Sequence, residues 1–313
     1  MVALNYPVNT NTVNGDDASV VSLTPEPKAA LLVASRKSGQ ILAYDDQTGE
    51  DLGVFIEEGS GGLEAPSSLV YGPNDEYLYV SDFKNSSVLR FDEVTGEFVD
   101  TFIVPNGDGL ISPESIAFGP DDDLFIAGLD GNGIRRYDGE TGEFIDNIVA
   151  VDPATQEPLN TPDFVFDSDN NLYVSSVLPS NGVLKYDWET ETTTTFISSE
   201  DAPRIPGGLA IGEDDLLYVG DFSESGASIS RYGLESGELV DVFVEPCSGG
   251  LSQASRLVFG AEGGDLYVTS FGSDSVLRYD GETGDFIDEF VTSGSSGLDE
   301  PIGLTFSETS IFV

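Results

Sequence analysis

Short apolar runs alternate with polar, glycine-rich punctuation along nearly the whole chain, with no 3.6-residue period of an amphipathic helix. The runs repeat. The aromatic that closes the pattern Val-Leu-Arg-Tyr recurs at Tyr44, Phe91, Tyr137, Tyr186, Tyr232 and Tyr279, at spacings of 47, 46, 49, 46 and 47 residues. A second pattern, Leu-Tyr-Val, keeps the same period, ending at Val33, Val80, Ile126, Val174, Val219, Val268 and Val313. Two independent markers in phase define an internal repeat.

Each repeat reads as four short strands. The first is small and apolar, as in Leu69-Val70-Tyr71, Ile116-Ala117-Phe118 and Leu257-Val258-Phe259. A turn such as Gly119-Pro120-Asp121-Asp122 leads to Leu-Tyr-Val, then Val-Leu-Arg-Tyr, then Phe-Val-Asp-Thr-Phe or its like. Four strands in a repeat of this length make a propeller blade, so the predicted fold class is all-β, a β-propeller of four-stranded blades. The predicted domain spans residues 20–313, preceded by an N-terminal arm, residues 1–19.

Six complete blades fall at 20–56, 68–103, 115–149, 163–197, 208–244 and 256–291. The tail from Ile302 to Val313 supplies a further first and second strand and then stops. Ala3-Leu4-Asn5-Tyr6 matches a third strand, which predicts seven blades with the last split between the termini. The alternative is six blades, with tail strands in place of Val20–Leu23 and the arm left free. An unfinished apolar blade and a tethered strand also predict self-association with copies of the same chain. In that reading Ala3, Leu4 and Tyr6 of one copy pair with Leu304, Phe306, Ile311, Phe312 and Val313 of the next, propagating a fibre.

Charge changes the picture of partners. Twelve basic residues against 57 acidic ones give a net charge of −45, which repels nucleic acid and anionic membranes and favours cations. No apolar run reaches the length of a membrane helix, so no membrane insertion is expected. Histidine is absent, removing the commonest general base, and the single cysteine, Cys247, excludes an intrachain disulfide. The opening MVALNYPVNTNTVNGDD does not read as a signal peptide, and an extracellular or cell-surface location is expected.

The stretch Ser112-Pro-Glu-Ser-Ile-Ala-Phe-Gly-Pro-Asp-Asp-Asp-Leu-Phe-Ile-Ala-Gly128, followed by Ile134-Arg-Arg-Tyr-Asp-Gly-Glu-Thr-Gly-Glu-Phe144, resembles the bacterial NHL-repeat propellers. Their relatives include the streptogramin lyases and the regucalcin/gluconolactonase group, and the resemblance covers residues 20–313. It implies a propeller and leaves activity open. Lyases of that kind use a histidine base, which this chain lacks. The gluconolactonase group implies a divalent metal at the channel mouth, held by Glu, Asn and Asp at the starts of first strands. The corresponding positions are Ser67, Glu114, Pro162, Gly207, Ser255 and Ile302, with Asp163 one residue off. Glu114 alone is a good ligand there, and one ligand does not hold a metal. Glu114 is therefore read as polar surface, no catalytic residue is assigned, and the function read from the sequence is a non-catalytic acidic scaffold. A metal-dependent lactonase is the alternative.

Three other groups carry expectations. Asp167, Asp169 and Asn171 copy the opening spacing of a calcium loop, although position 178 is Leu; the competing reading is a polar turn. Arg90, Arg136, Lys185, Arg231 and Arg278 precede the third-strand aromatic and are expected to point outward and pair with nearby carboxylates, such as Asp92, Asp138, Asp187 and Asp280. Arg204 and Arg256 are expected near the channel mouth, neutralising surrounding acid. Asn85-Ser86-Ser87 is a glycosylation sequon, and nothing in the sequence explains Trp188.

Overall fold

The computed structural model describes residues 27–105, 109–129, 131, 133–177, 179–260 and 264–313. They form six sheets of four antiparallel strands each. From innermost to outermost strand, blade two is β4 (Pro66–Tyr71), β5 (Tyr77–Asp82), β6 (Ser87–Asp92) and β7 (Phe98–Ile103). Blade three is β8 (Pro113–Phe118), β9 (Leu124–Gly128), β10 (Ile134–Tyr137) and β11 (Phe144–Val149). Blade four is β12 (Phe164–Phe166), β13 (Leu172–Ser176), β14 (Gly182–Asp187) and β15 (Thr192–Ile197). Blade five is β16 (Pro206–Ile211), β17 (Leu216–Asp221), β18 (Ile229–Gly233) and β19 (Leu239–Val244). Blade six is β20 (Ala254–Phe259), β21 (Leu266–Ser270), β22 (Ser275–Tyr279) and β23 (Phe286–Val291).

Blade one is built from both ends of the described chain. Its outer three strands are β1 (Ala30–Ser35), β2 (Gln40–Asp45) and β3 (Asp51–Ile56), and its innermost strand is the C-terminal β24 (Pro301–Phe306). The ring therefore has six blades, and the expected seventh does not form. The reason is local: β1 carries the second-strand pattern and needs an inner neighbour, which β24 supplies by pairing Leu304 with Val33 and Phe306 with Leu31. The aromatics agree. Tyr267 packs edge-on against Phe306 at 5.1 Å, as Tyr79 does against Phe118 and Tyr218 against Phe259, both at 5.0 Å. Leu304, Phe306 and Ile311, expected as an open acceptor edge for another copy, are consumed within the chain's own ring. Ile311 makes a single bridge to Lys28 in place of a second strand, and Phe312 and Val313 are exposed. Ala3, Leu4, Tyr6 and Val20–Leu23 lie outside the described residues.

A hydrophobic core fills the space between every pair of neighbouring blades. This explains the uninterrupted Leu-Tyr-Val of each second strand. Leu78 and Val80 face blade one while Tyr79 faces blade three, so both faces of the sheet are buried and polar alternation is not needed. The 49-residue spacing between Tyr137 and Tyr186 falls where the linker between blades three and four makes its own turn, bridged from Val151 to Pro158. Trp188 also gains an explanation. Its ring meets Phe125 and Tyr186 edge-on, and its indole N–H donates to the Asn170 carbonyl at 2.8 Å, closing the edge of the core between blades three and four.

The ladder of basic residues pairs with carboxylates as expected but chooses different partners, and its arginine side chains are mostly buried over aromatic rings, Arg90 over Phe102 and Arg231 over Phe243, where an outward course was expected. Arg90, Arg231 and Arg278 make two hydrogen bonds each to Asp100, Asp241 and Asp288, ten residues on in the fourth strand, and Arg136 reaches Asp146. Register decides this, because Arg90 stands opposite Asp100. Asp92, Asp138, Asp187 and Asp280 instead cap the turn between strands three and four. Asp92 Oδ1 accepts from the amides of Val94 and Thr95 and from the Thr95 hydroxyl. In blade four the Asp is replaced by Thr194, and Lys185 turns to the Tyr173 ring and hydroxyl.

Candidate functional site at the channel mouth

Innermost strands enter the ring at one end of the channel, and most open with proline, which needs no ladder donor at a first position. A register shift follows in β4, β8, β16 and β20, turning the second and third residues toward the channel. Ser67, Glu114, Pro162, Gly207, Ser255 and Ile302, the positions aligned from the sequence, all line one cavity of about 240 Å³. Leu129, Val177, Ile205 and Phe222 add an apolar collar.

Two ion pairs cross the floor. Arg36, from the turn after β1, places Nη1 3.2 Å from Glu114 Oε1 and Nη2 against Oε2, with its guanidinium 4.6 Å from the Phe83 ring centre. This binds blade one to blade three across the channel. Arg256 on blade six donates to Asp163 before β12, to the Ser115 hydroxyl at 3.0 Å and to the Ser68 hydroxyl at 2.6 Å. Asp163 also accepts from the Ser115 hydroxyl at 2.7 Å and from the Leu209 amide at 2.9 Å. Glu114 and Asp163 are both buried. Burial pushes the Glu114 carboxyl up, and the Arg36 charge pulls it back only in part.

Glu114 is thus a buried brace, correcting its reading as polar surface. Asp163, one residue off the aligned position, is the better-connected carboxylate. Arg36 was missed by the sequence reading, since nothing in a turn residue of blade one marks it as a partner of blade three. Arg256 sits at the mouth and neutralises acid as expected. Arg204 does not line the cavity, and its carbonyl accepts from Asn181.

The divalent metal that the resemblance implies does not suit this donor set. Each carboxylate is already bound by a guanidinium, whose charge opposes a cation at the same place. Among the described residues no group of three or more His, Cys, Asp or Glu side chains converges. The Asp167 loop is a closed turn. Asp167 Oδ1 accepts from the amides of Asp169 and Asn171, and its Oδ2 accepts from the Asn171 side-chain amide at 2.7 Å. Asn85 of the sequon donates its amide to Gly62 and Asp82.

No protein-family model matches the chain, and no curated protein sequence does. Solved structures do. A chain of a nidogen/laminin complex superposes with a TM-score of 0.69 at 17% identity, over 90% of this chain and 99% of that one. A gluconolactonase from Xanthomonas campestris gives 0.59 at 16% identity, over 88% and 90%. A virginiamycin B lyase from Staphylococcus aureus gives 0.59 at 15%, over 91% and 94%. The likeness is one of fold. The propeller expected from the sequence resemblance is shown, and these neighbours span enzymes and a protein complex alike.

Proposed function

We propose that the chain is a non-catalytic, strongly acidic propeller scaffold with a structural or binding role, working outside the cell or at its surface. The supporting observation is that both carboxylates at the channel mouth are held by arginines from distant blades. A carboxylate locked to a guanidinium is a poor metal ligand and a poor base, whereas the same pairing ties blades one, three, four and six together. The apolar collar leaves room for an uncharged ligand and offers it no reactive group.

The experiment is a lactone-hydrolysis assay run with calcium, zinc and manganese, alongside metal titration by calorimetry. No turnover and no binding at the mouth are expected. Replacing both Arg36 and Arg256 with alanine frees the carboxylates and should create divalent-cation affinity that the parent lacks. Metal-dependent hydrolysis by the parent, abolished in Glu114→Gln, would establish the lactonase reading instead.

A further inference from the structure

Second strands run antiparallel to the innermost ones, so each of them ends at the channel mouth. The residue that follows is a repeat position: Arg36, Phe83, Leu129, Val177, Phe222 and Phe271 in blades one to six. All six are half-buried, and five are apolar. Arg36, the exception, is bound to Glu114 and stacks on Phe83, so it adds no free charge. Phe222 meets Phe271 with ring centres 5.4 Å apart. Leu129, Val177 and Phe222, joined by Ile205, wall the 240 Å³ cavity on the side of blades three to five. A repeated apolar position left half-open to water, in a chain of net charge −45, marks a surface that is used.

The polar side chains of the same cavity are already partnered. Ser67 Oγ donates to the Pro113 carbonyl at 2.5 Å and lies 2.9 Å from the Ser81 hydroxyl. Ser255 Oγ lies 2.8 Å from the Thr269 hydroxyl and donates to the Pro301 carbonyl at 3.2 Å. The charged groups are held in the two ion pairs across the floor. A polar molecule entering the cavity gives up its hydrogen bonds to water and finds these side chains bonded to one another. An anion is repelled by the acidic surface, and a cation meets carboxylates that guanidiniums already hold. Uncharged apolar surface is what such a wall rewards. Size follows from volume: a cavity of about 150 Å³ lined by aliphatic and aromatic side chains takes benzene, so this one has room for two fused rings.

We propose that the channel mouth binds a small, uncharged, apolar molecule the size of a two-ring hydrocarbon, seated against Leu129, Val177, Ile205 and Phe222. The proposal rests on the non-catalytic reading of the mouth and narrows it from a scaffold to a carrier of an apolar ligand. The ion pairs beneath serve as a neutral floor, and the aromatic ring of Phe222 offers its edge or face to the ligand.

Equilibrium dialysis of the full chain tests it, with naphthalene as the probe and 2-naphthoate and gluconolactone as its charged and polar counterparts. One naphthalene per chain should bind saturably, and both counterparts should bind at least roughly tenfold more weakly. Val177→Trp and Leu129→Trp fill the cavity from half-exposed positions, and each should weaken naphthalene binding roughly tenfold while the chain still melts cooperatively. Phe222→Ala strips the wall without filling it and should weaken binding as well. Val240→Ser, on the exposed outer strand of blade five, should change nothing. Absence of saturable naphthalene binding overturns the site, as does equal binding of 2-naphthoate. Binding that survives Phe222→Ala and a folded tryptophan variant, or that Val240→Ser removes, also overturns it. The two readings fail separately: lactone turnover overturns the scaffold, and loss of naphthalene binding overturns the ligand.

Discussion

Arg256 and Asp163 face each other across the channel, blade six to blade four, and each also binds Ser115 of blade three. Removing one partner leaves a charge that is buried in a low-dielectric site. Arg256→Ala should destabilise the fold by about 3 kcal/mol, read from urea unfolding. Replacing both with apolar residues of similar size, Arg256→Met with Asp163→Leu, should cost less than the single change. A double variant as unstable as the sum of the two single changes would show that the pair is not coupled.

Blade four lacks the arginine–aspartate ladder pair that blades two, five and six share. Lys185→Arg with Thr194→Asp should install it, because the two positions have the register of Arg90 and Asp100. The aspartates of this ladder are nearly half exposed, so the gain should be only about 0.5–1 kcal/mol. A double-mutant cycle measures it, and a coupling of zero would contradict the ladder's stabilising role.

Tyr44 and Tyr279 donate their hydroxyls to Ser295 and Ser248, in the linker entering each blade, at 2.9 and 2.8 Å. Blade two has Phe91 opposite the equivalent Ser60. Phe91→Tyr should add the missing bond and raise stability by about 1 kcal/mol in thermal unfolding. A loss of stability would mean that the linker of blade two stands differently.

The two kinds of shifted carboxyl respond to pH with opposite signs. Hydrogen bonds from Arg90 and Arg231 hold Asp100 and Asp241 below the ordinary aspartate range. Their contribution is complete above the unfolded value of about 3.9 and is lost as pH falls through the folded value. The destabilisation caused by Asp100→Asn should therefore shrink toward zero in strong acid. Glu93 is raised, so its cost is absent at low pH and grows as pH rises through its folded value. Glu93→Gln should raise the melting temperature at pH 7 and leave it unchanged near pH 3.

What the sequence determined by itself was the blade. The period, the Leu-Tyr-Val second strands and the Gly/Asp turns follow from short-range rules of burial and backbone geometry, and they appear at the expected residues in all six blades, the copy ending at Val313 alone forming no strand. The six aligned mouth positions were legible for the same reason, since equivalent places in a repeat occupy equivalent places in a ring. The number of blades was not legible. Whether β24 completes blade one or begins a seventh depends on which edge lies beside it, and strand pairing over more than 260 residues leaves no local mark. The chemistry of the mouth was decided at the same level. Glu114 looks like a lone ligand in the chain and becomes a brace only because ring closure carries Arg36 to it. Local sequence chooses the unit, while the partner of a buried charge is chosen by the geometry of the closed ring.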